Sequence, residues 1–203
     1  MPNLNELFGD IDIYLFDQIL KNRFSVEMKI LDAGCGGGRN LIYFLREGFE
    51  VFGVDQNADA IEHIRYLAQM LAPKIPPENF QIATVEKMPF EDESFDAIIS
   101  SAVLHFARDE AHFDRMLDEM LRVLKPNGML FARLASTISI EDKVEKLSER
   151  RYLLPDGSER FLVDEEMLKT ATERLGAYFI EPIKTTNVQN LRSMTTWVIR
   201  KNY

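Results

Sequence analysis

Two hydrophobic periods alternate along this chain. Short runs of consecutive apolar residues read as strands covered on both faces. Longer segments with apolar positions every three or four residues read as helices laid against them. The runs are Lys29 to Asp32, Glu50 to Val54, Phe80 to Ala83, Phe95 to Ser100 and Met129 to Ala135. Between them lie helical segments at Leu41 to Leu45, Ala58 to Leu71 and Asp109 to Leu124, the last with Phe113, Met116, Leu117, Met120, Leu121 and Leu124 on one stripe. Ile11, Tyr14, Leu15, Ile19 and Leu20 predict a further helix over Ile11 to Phe24, ahead of the first strand. Gly48, Pro73, the Pro76-Pro77 pair and Pro126-Asn127-Gly128 supply the stops.

Beyond the fifth strand the pattern loosens. Thr137 to Arg160 is polar, charge-rich and the least regular stretch, with a turn at Pro155-Asp156-Gly157. Residues 137–163 are read as either a substrate lid or a solvated insertion carrying that turn, and residues 1–27 as a helical cap. A helix over Asp164 to Leu175 stops at Gly176. Ala177 to Ile183 and Met194 to Arg200 then read as closing strands, and the polar link Asn187 to Asn190 is too short for a crossover helix, so they pair antiparallel. Alternating strands and helices imply an α/β fold, a doubly wound and mostly parallel sheet with helices on both faces. Such sheets bind ligands outside the carboxyl ends of their strands.

Composition narrows the class. At 203 residues and 46% hydrophobic, the chain suits one three-layer domain over residues 1–203. A net charge of -9 disfavours phosphate backbones and anionic membranes as partners, since both would meet a like-signed field. No apolar run approaches the roughly 20 residues needed to span a bilayer. The single cysteine, Cys35, cannot form an internal disulfide, and the N-terminus lacks the basic flank and apolar core of a leader, so a cytoplasmic location is expected. Three histidines and one cysteine make no cluster at metal-ligand spacing, and no metal is implied.

Candidate chemistry concentrates in Ile30 to Asn40, which reads ILDAGCGGGRN. Glycines at 34, 36 and 38 let a strand turn sharply while bare backbone approaches a ligand, and three of them at this spacing imply a bound group. The dinucleotide fingerprint GxGxxG needs glycine where this chain has Arg39 or Leu41. Asp32 would repel a pyrophosphate and attract an ammonium or sulfonium. Asp55 lies 55 − 32 = 23 residues further on, near the ~20 expected of a carboxylate accepting from two ribose hydroxyls; capping the helix that starts near Asn57 is its alternative role.

The run DxGCGxGRN, then GVD ending at Asp55, MPF at 88–90, SFD at 94–96 and VLKPNG at 123–128 resembles the class I S-adenosylmethionine-dependent methyltransferases, most closely their small-molecule and tellurite-resistance type. The resemblance covers Met28 to Ala135. It implies a seven-stranded sheet with one reversed strand near an edge, S-adenosylmethionine as cofactor with S-adenosylhomocysteine as product, and a small-molecule acceptor. Its cofactor-binding positions map to Asp32, Gly34, Cys35, Gly36, Gly38, Asn40, Asp55, Gln56, Val85, Glu86 and Ser100. Thr84 stands where the family usually has an acidic residue beside the adenine. Cys35 reads as a small packing residue in the loop. Ser100 to His105 fall between sulfonium and acceptor, which makes His105 the candidate general base. Tyr14, Arg133, Arg151, Tyr152 and Arg160 would face the acceptor. Because a sulfonium is already a good leaving group, methyl transfer needs mainly positioning. Two other functions compete: a nicotinamide-dependent oxidoreductase on the same type of sheet, and a non-catalytic S-adenosylmethionine binder.

Overall fold

The computed structural model describes residues 3–203. Five strands run parallel: β1 (Lys29–Ala33), β2 (Glu50–Asp55), β3 (Phe80–Ile82), β4 (Phe95–Ser101) and β5 (Leu124–Ala135). β9 (Ala177–Phe179), β10 (Lys184–Val188) and β11 (Arg192–Lys201) complete the main sheet. Its order is β10-β11-β5-β4-β1-β2-β3, with β9 also paired to β11. β11 is the reversed strand, antiparallel to β5 from Met194 opposite Ala135 to Arg200 opposite Met129.

Both faces of the sheet are buried, as the unbroken apolar runs require. Leu31, Ile98, Leu130, Ala132 and Leu134 join one core with α5 (Glu110–Val123) and α6 (Glu165–Arg174). Ile30, Ala97, Ile99, Met129 and Phe131 join the other, with α2 (Ile13–Leu20), α3 (Ile42–Arg46) and α4 (Ala58–Leu71). Side-chain caps start the long helices: Asn57 accepts from the amide of Asp59 at 3.0 Å, Asp109 from His112 at 2.6 Å and Asp164 from Met167 at 2.8 Å. No helix among the described residues is long and apolar enough to cross a membrane.

Four expectations are corrected. The helix expected over Ile11 to Phe24 is the shorter α2, because the Asp12 carboxylate caps the Tyr14 amide at 2.9 Å and Asn22 turns left-handed at φ 54; α1 (Leu4–Phe8) is a separate helix ahead of it. β5 begins directly after α5: Leu124 pairs with Phe95 and Met129 with Ala97, so Lys125 to Gly128 form an excursion inside the strand. The first closing strand is split, since Pro182 has no N–H to offer; β9 and β10 share the edge of β11, and Gln189 and Asn190, both at positive φ, turn β10 into β11. The irregular stretch contains its own three-stranded antiparallel sheet, β6 (Glu145–Lys146), β7 (Arg151–Leu153) and β8 (Glu159–Phe161). A bridge from Ser136 to Val163 ties it to the end of β5.

Candidate functional site

The carboxyl ends of β1, β2, β4 and β5 meet at one rim of the sheet, and three cavities open there. A cleft of about 450 Å³ lies over β2 and is walled by Gly34, Asp55, Gln56, Thr84, Val85 and Glu86. A second, of about 440 Å³, follows the glycine loop past Cys35, Asn40 and Ser101. A third, of about 330 Å³, lies over the end of β5 under the small sheet. Ala102, just past β4, belongs to the wall of all three and is held at φ 64, a left-handed backbone uncommon for alanine. Its amide donates to the Arg133 carbonyl at 2.7 Å, which fixes this corner.

The glycine loop works differently from a phosphate cradle. The amides of Gly34 and Cys35 both donate to the Val54 carbonyl, that of Gly36 to Asp55 Oδ2 at 2.9 Å, and that of Gly38 to the Cys35 carbonyl. The chain itself uses these donors, so they do not form a row aimed at an anion. α3 follows with five residues and no side-chain cap. Such a loop suits close approach of a cationic ligand and offers little to a pyrophosphate. The glycines also divide by cause. A Cβ on Gly38 would run into Ile64, whereas one on Gly36 would meet nothing within 4 Å. Chain packing alone accounts for Gly38, and open space beside the cavity leaves Gly36 available to a ligand.

Asp32 sits beneath the loop at the end of β1, 1% exposed, with neither carboxylate oxygen hydrogen-bonded. A buried carboxylate without partners is costly when ionised. Burial raises its pKa, Arg39 draws it back and Asp55 adds to the rise, leaving it at about 7. Asp32 lies behind the cavity walls and not in them, and its orphaned acceptors call for a donor, which a ligand ammonium at the loop would supply directly or through a water together with the countercharge. Asp55 accepts from Gly36 through Oδ2 and from Asn57 through Oδ1, each at 2.9 Å, so it holds the glycine loop and the residue before α4, while the helix cap anticipated as its alternative role is Asn57. A carboxylate has about four acceptor positions, and two remain for vicinal hydroxyls.

The other candidates divide between wall and scaffold. Gln56, Val85 and Glu86 line the cleft with Thr84. Glu86 Oε1 approaches His112 Nε2 at 3.2 Å. Cys35 is buried with its thiol pushed upward by burial, a packing group over Gly53. Asn40 spends Oδ1 on the Asp12 amide at 3.0 Å, tying the N-terminal segment to the loop. Ser100 lies wholly inside the sheet and reaches no cavity wall; its neighbour Ser101 does, with Oγ bonded to Asp12 at 3.2 Å. His105 lines the third cavity and accepts the Ala135 amide through Nδ1 at 3.3 Å. Burial, then the charges of Arg160 and Arg192, lower its pKa to about 4, so near neutrality the ring is uncharged with its proton on Nε2. That is the geometry of a donor. A general base would need a free ring nitrogen with a higher pKa.

Sequence reasoning missed Phe106, Arg108, His112 and Met116 as wall residues. The last two sit one turn apart on the buried stripe of α5, where helical spacing announces only core. Of the residues expected at the acceptor, Arg133 and Arg160 line the third cavity, whereas Arg151 turns to the Ala107 carbonyl and Glu159. Among the described residues, no group of His, Cys, Asp and Glu is placed to hold a metal ion.

Comparison with known proteins agrees with this geometry. A family model described as a methyltransferase domain matches residues 31–132, half of the chain. The uncharacterized methyltransferase YodH of Bacillus subtilis is 38% identical over 108 residues, covering 52% of this chain and 42% of its own. The chain spans less than half the length of the curated relatives it matches. A crystal structure of a SAM-dependent methyltransferase from Methanosarcina mazei superposes with TM-score 0.74 at 21% identity, over 91% of this chain and 97% of its own. The Burkholderia thailandensis 1,6-didemethyltoxoflavin-N1-methyltransferase, solved with 1,6-didemethyltoxoflavin and S-adenosylhomocysteine, gives TM-score 0.72 at 18% identity, over 97% and 80%. At these identities the two structures establish the fold. With the family match spanning β1 to β5 and the loop, the chain belongs to the class I S-adenosylmethionine-dependent methyltransferases.

Proposed function

We propose that this protein transfers a methyl group from S-adenosylmethionine to a small-molecule acceptor, chiefly by positioning. The observation that carries the reading is Asp32, a fully buried carboxylate with two unpartnered oxygens beneath a glycine loop. Its chemistry asks for a cation, as does a loop whose amides are already used. Asp32 and the Gly36 side of the loop would hold the amino-acid end of the cofactor, Asp55 the ribose, and Gln56, Thr84, Val85 and Glu86 the base. The sulfonium, when bound, supplies an activated methyl group and a neutral thioether leaving group. The chain's own contribution is alignment at the Ala102 corner, exclusion of water by the elements over the rim, and a neutral N–H from His105. A nucleophile is not required of the protein, in keeping with the buried, unreactive Cys35.

The same reading treats residues 1–203 as one methyltransferase domain, with residues 1–27 as cap and residues 137–163 as lid. The walls contributed by Leu154, Asp156, Ser158 and Arg160 support the latter. The net charge of -9 supports a partnership without nucleic acid, and one reduced, buried cysteine supports a cytoplasmic setting.

Calorimetric titration with S-adenosylhomocysteine tests the function directly. Micromolar binding is expected, with no binding of reduced nicotinamide dinucleotide. Asp55→Ala should weaken the nucleoside by about 10- to 100-fold, the loss of hydrogen bonds to a charged acceptor. Failure of the nucleoside to bind a folded protein would overturn the assignment.

Asp32 adds a pH signature. Its native pKa of about 7 stands above the ordinary 3.8, so the ligand-free native state holds a proton that the unfolded chain has released. Stability from this group is therefore full below about pH 4 and declines as pH rises towards 7. A bound ammonium favours the ionised form, so binding at pH 6 should release a proton, with release fading by pH 8. Titration at pH 6 in buffers of different ionisation enthalpy measures this directly. Zero release at pH 6 would mean that Asp32 does not meet the cation.

A further inference from the structure

The third cavity carries a charge opposite to that of the molecule. Four guanidinium groups line its wall, from Arg39, Arg133, Arg160 and Arg192, in a chain of net charge -9. One carboxylate, Asp156, lies in the same wall, and its oxygen is engaged by the amide and hydroxyl of Ser158 at 2.9 and 2.6 Å. Arg133 is balanced from behind by Asp12 at 3.1 Å and stacks over the Tyr14 ring at 5.3 Å. Arg39 donates to the Asp10 carbonyl and to Ser101, both neutral acceptors. Arg160 lies over the Phe106 ring at 5.0 Å, and its one side-chain hydrogen bond among the described residues is to the Glu159 carbonyl. Arg192 has no ion pair or side-chain hydrogen bond among the described residues. Asp12 thus balances Arg133, the buried Asp32 feels the charge of Arg39, and Asp156 alone feels both Arg160 and Arg192, which leaves one carboxylate between those two guanidiniums. Their field is felt inside the cavity, where both push against protonation of His105.

Guanidinium groups in excess of carboxylates are a means by which proteins bind planar oxyanions, because a fork of N–H donors matches two oxygens. The remaining wall is apolar, from Ala102, Ala135, Leu154, Val188 and Met194. At about 330 Å³ the cavity is at the small end of the ~300–1,000 Å³ typical of small-ligand clefts. It shares Ala102 with both cavities assigned to the cofactor, so an occupant here abuts the methyl-donating end.

We infer that the methyl acceptor is a small organic anion, its oxyanion held by Arg160 and Arg192 at the mouth and its apolar body against Leu154 and Met194, with the accepting atom towards Ala102. This rests on the methyl-transfer function proposed above. It also explains how an acidic protein can collect an acidic substrate: the local excess of positive charge is confined to one cavity, inside a Debye length of about 8 Å at physiological salt. A carboxylate and a phosphate monoester share the required chemistry, and the test separates them.

The experiment uses the full chain saturated with S-adenosylhomocysteine and titrates matched pairs: benzoate against benzamide, and phenyl phosphate against phenol. At least one anion should bind saturably, at least tenfold tighter than its neutral counterpart, and weaken as sodium chloride rises. Benzoate leading identifies a carboxylate acceptor, and phenyl phosphate leading identifies a phosphate ester. Arg192→Gln, an exposed position on the β10–β11 hairpin, should lower anion affinity about tenfold, with partial rescue by Arg192→Lys and S-adenosylhomocysteine binding unchanged. Arg160→Gln is the second variant and should behave alike. Equal binding of neutral partners, no anion binding at all, or indifference to both substitutions would overturn the anionic assignment while leaving methyl transfer intact. Loss of S-adenosylhomocysteine binding by the unaltered protein would instead strike at the methyl-transfer function itself.

Discussion

Asp32→Asn is expected to move binding and stability in opposite directions. A charge-assisted hydrogen bond to an ammonium is worth about 1.5–3 kcal/mol, so S-adenosylhomocysteine affinity should fall roughly 10- to 150-fold. In the ligand-free protein the ionised carboxylate is a burden: its pKa stands about three units above the ordinary value, which corresponds to roughly 4 kcal/mol at pH 8. The asparagine amide still buries polar atoms, at about 1–3 kcal/mol, so the net gain should be about 1–3 kcal/mol, a few degrees in melting temperature for a chain of this size. Thermal melts at pH 5 and pH 8 separate the effects. The variant should gain on the wild type at pH 8 and little at pH 5, where the aspartic acid is already protonated. A variant less stable at both values would show that Asp32 holds the fold rather than the ligand.

Gly38→Ala and Gly36→Ala should fail for different reasons. Gly38 has φ 81, and its new Cβ would press into the fully buried Ile64 of α4. Left-handed backbone costs an L-residue about 1–2 kcal/mol, and overpacking adds about 1–3 more, so a loss of roughly 3–4 kcal/mol is expected. That is a large share of the stability of a typical domain. Gly36 has φ 50 and open space where the Cβ would go, so its substitution should cost only about 1–2 kcal/mol in the melt. Its added methyl stands in the approach to the loop, and S-adenosylhomocysteine affinity should fall tenfold or more. Normal nucleoside binding by Gly36→Ala would mean that the ligand passes elsewhere.

Most of the scaffold was legible because its causes are local. The two-face burial of β4 and the stripe on α5 follow from side chains a few residues apart, and the structure places them as periodicity predicts. The misread boundaries have causes that periodicity does not see. Asp12 caps a helix from inside a segment that reads as continuous apolar spacing, and Pro182 breaks a strand whose neighbours on both sides still pair with β11. The small sheet of β6, β7 and β8 was hidden because its strands are two or three residues long and largely polar. Such strands gain their stability from docking on the end of β5 rather than from intrinsic preference.

The site divides along the same line. Asp32, the loop glycines and Asp55 are close in sequence or spaced by one βαβ unit, so their types and intervals were readable as the expectation of a cationic nucleoside. His105 was visible as a residue type, but its state was not. An amide thirty residues away occupies Nδ1, and burial, then two distant arginines, depress its basicity.

By itself the sequence determined the alternation of strands and helices, the loop that turns between β1 and α3, and the family, because all three are written in short-range spacing. Tertiary structure alone decided that Asp32 would be left without a partner and that Ala102 would stand at the junction of three cavities. It also brought Arg39, Arg133, Arg160 and Arg192 to one wall. Those arginines come from the loop after β1, from β5, from β8 and from the start of β11, and only the strand order of the sheet, with the small sheet docked at its rim, brings them together.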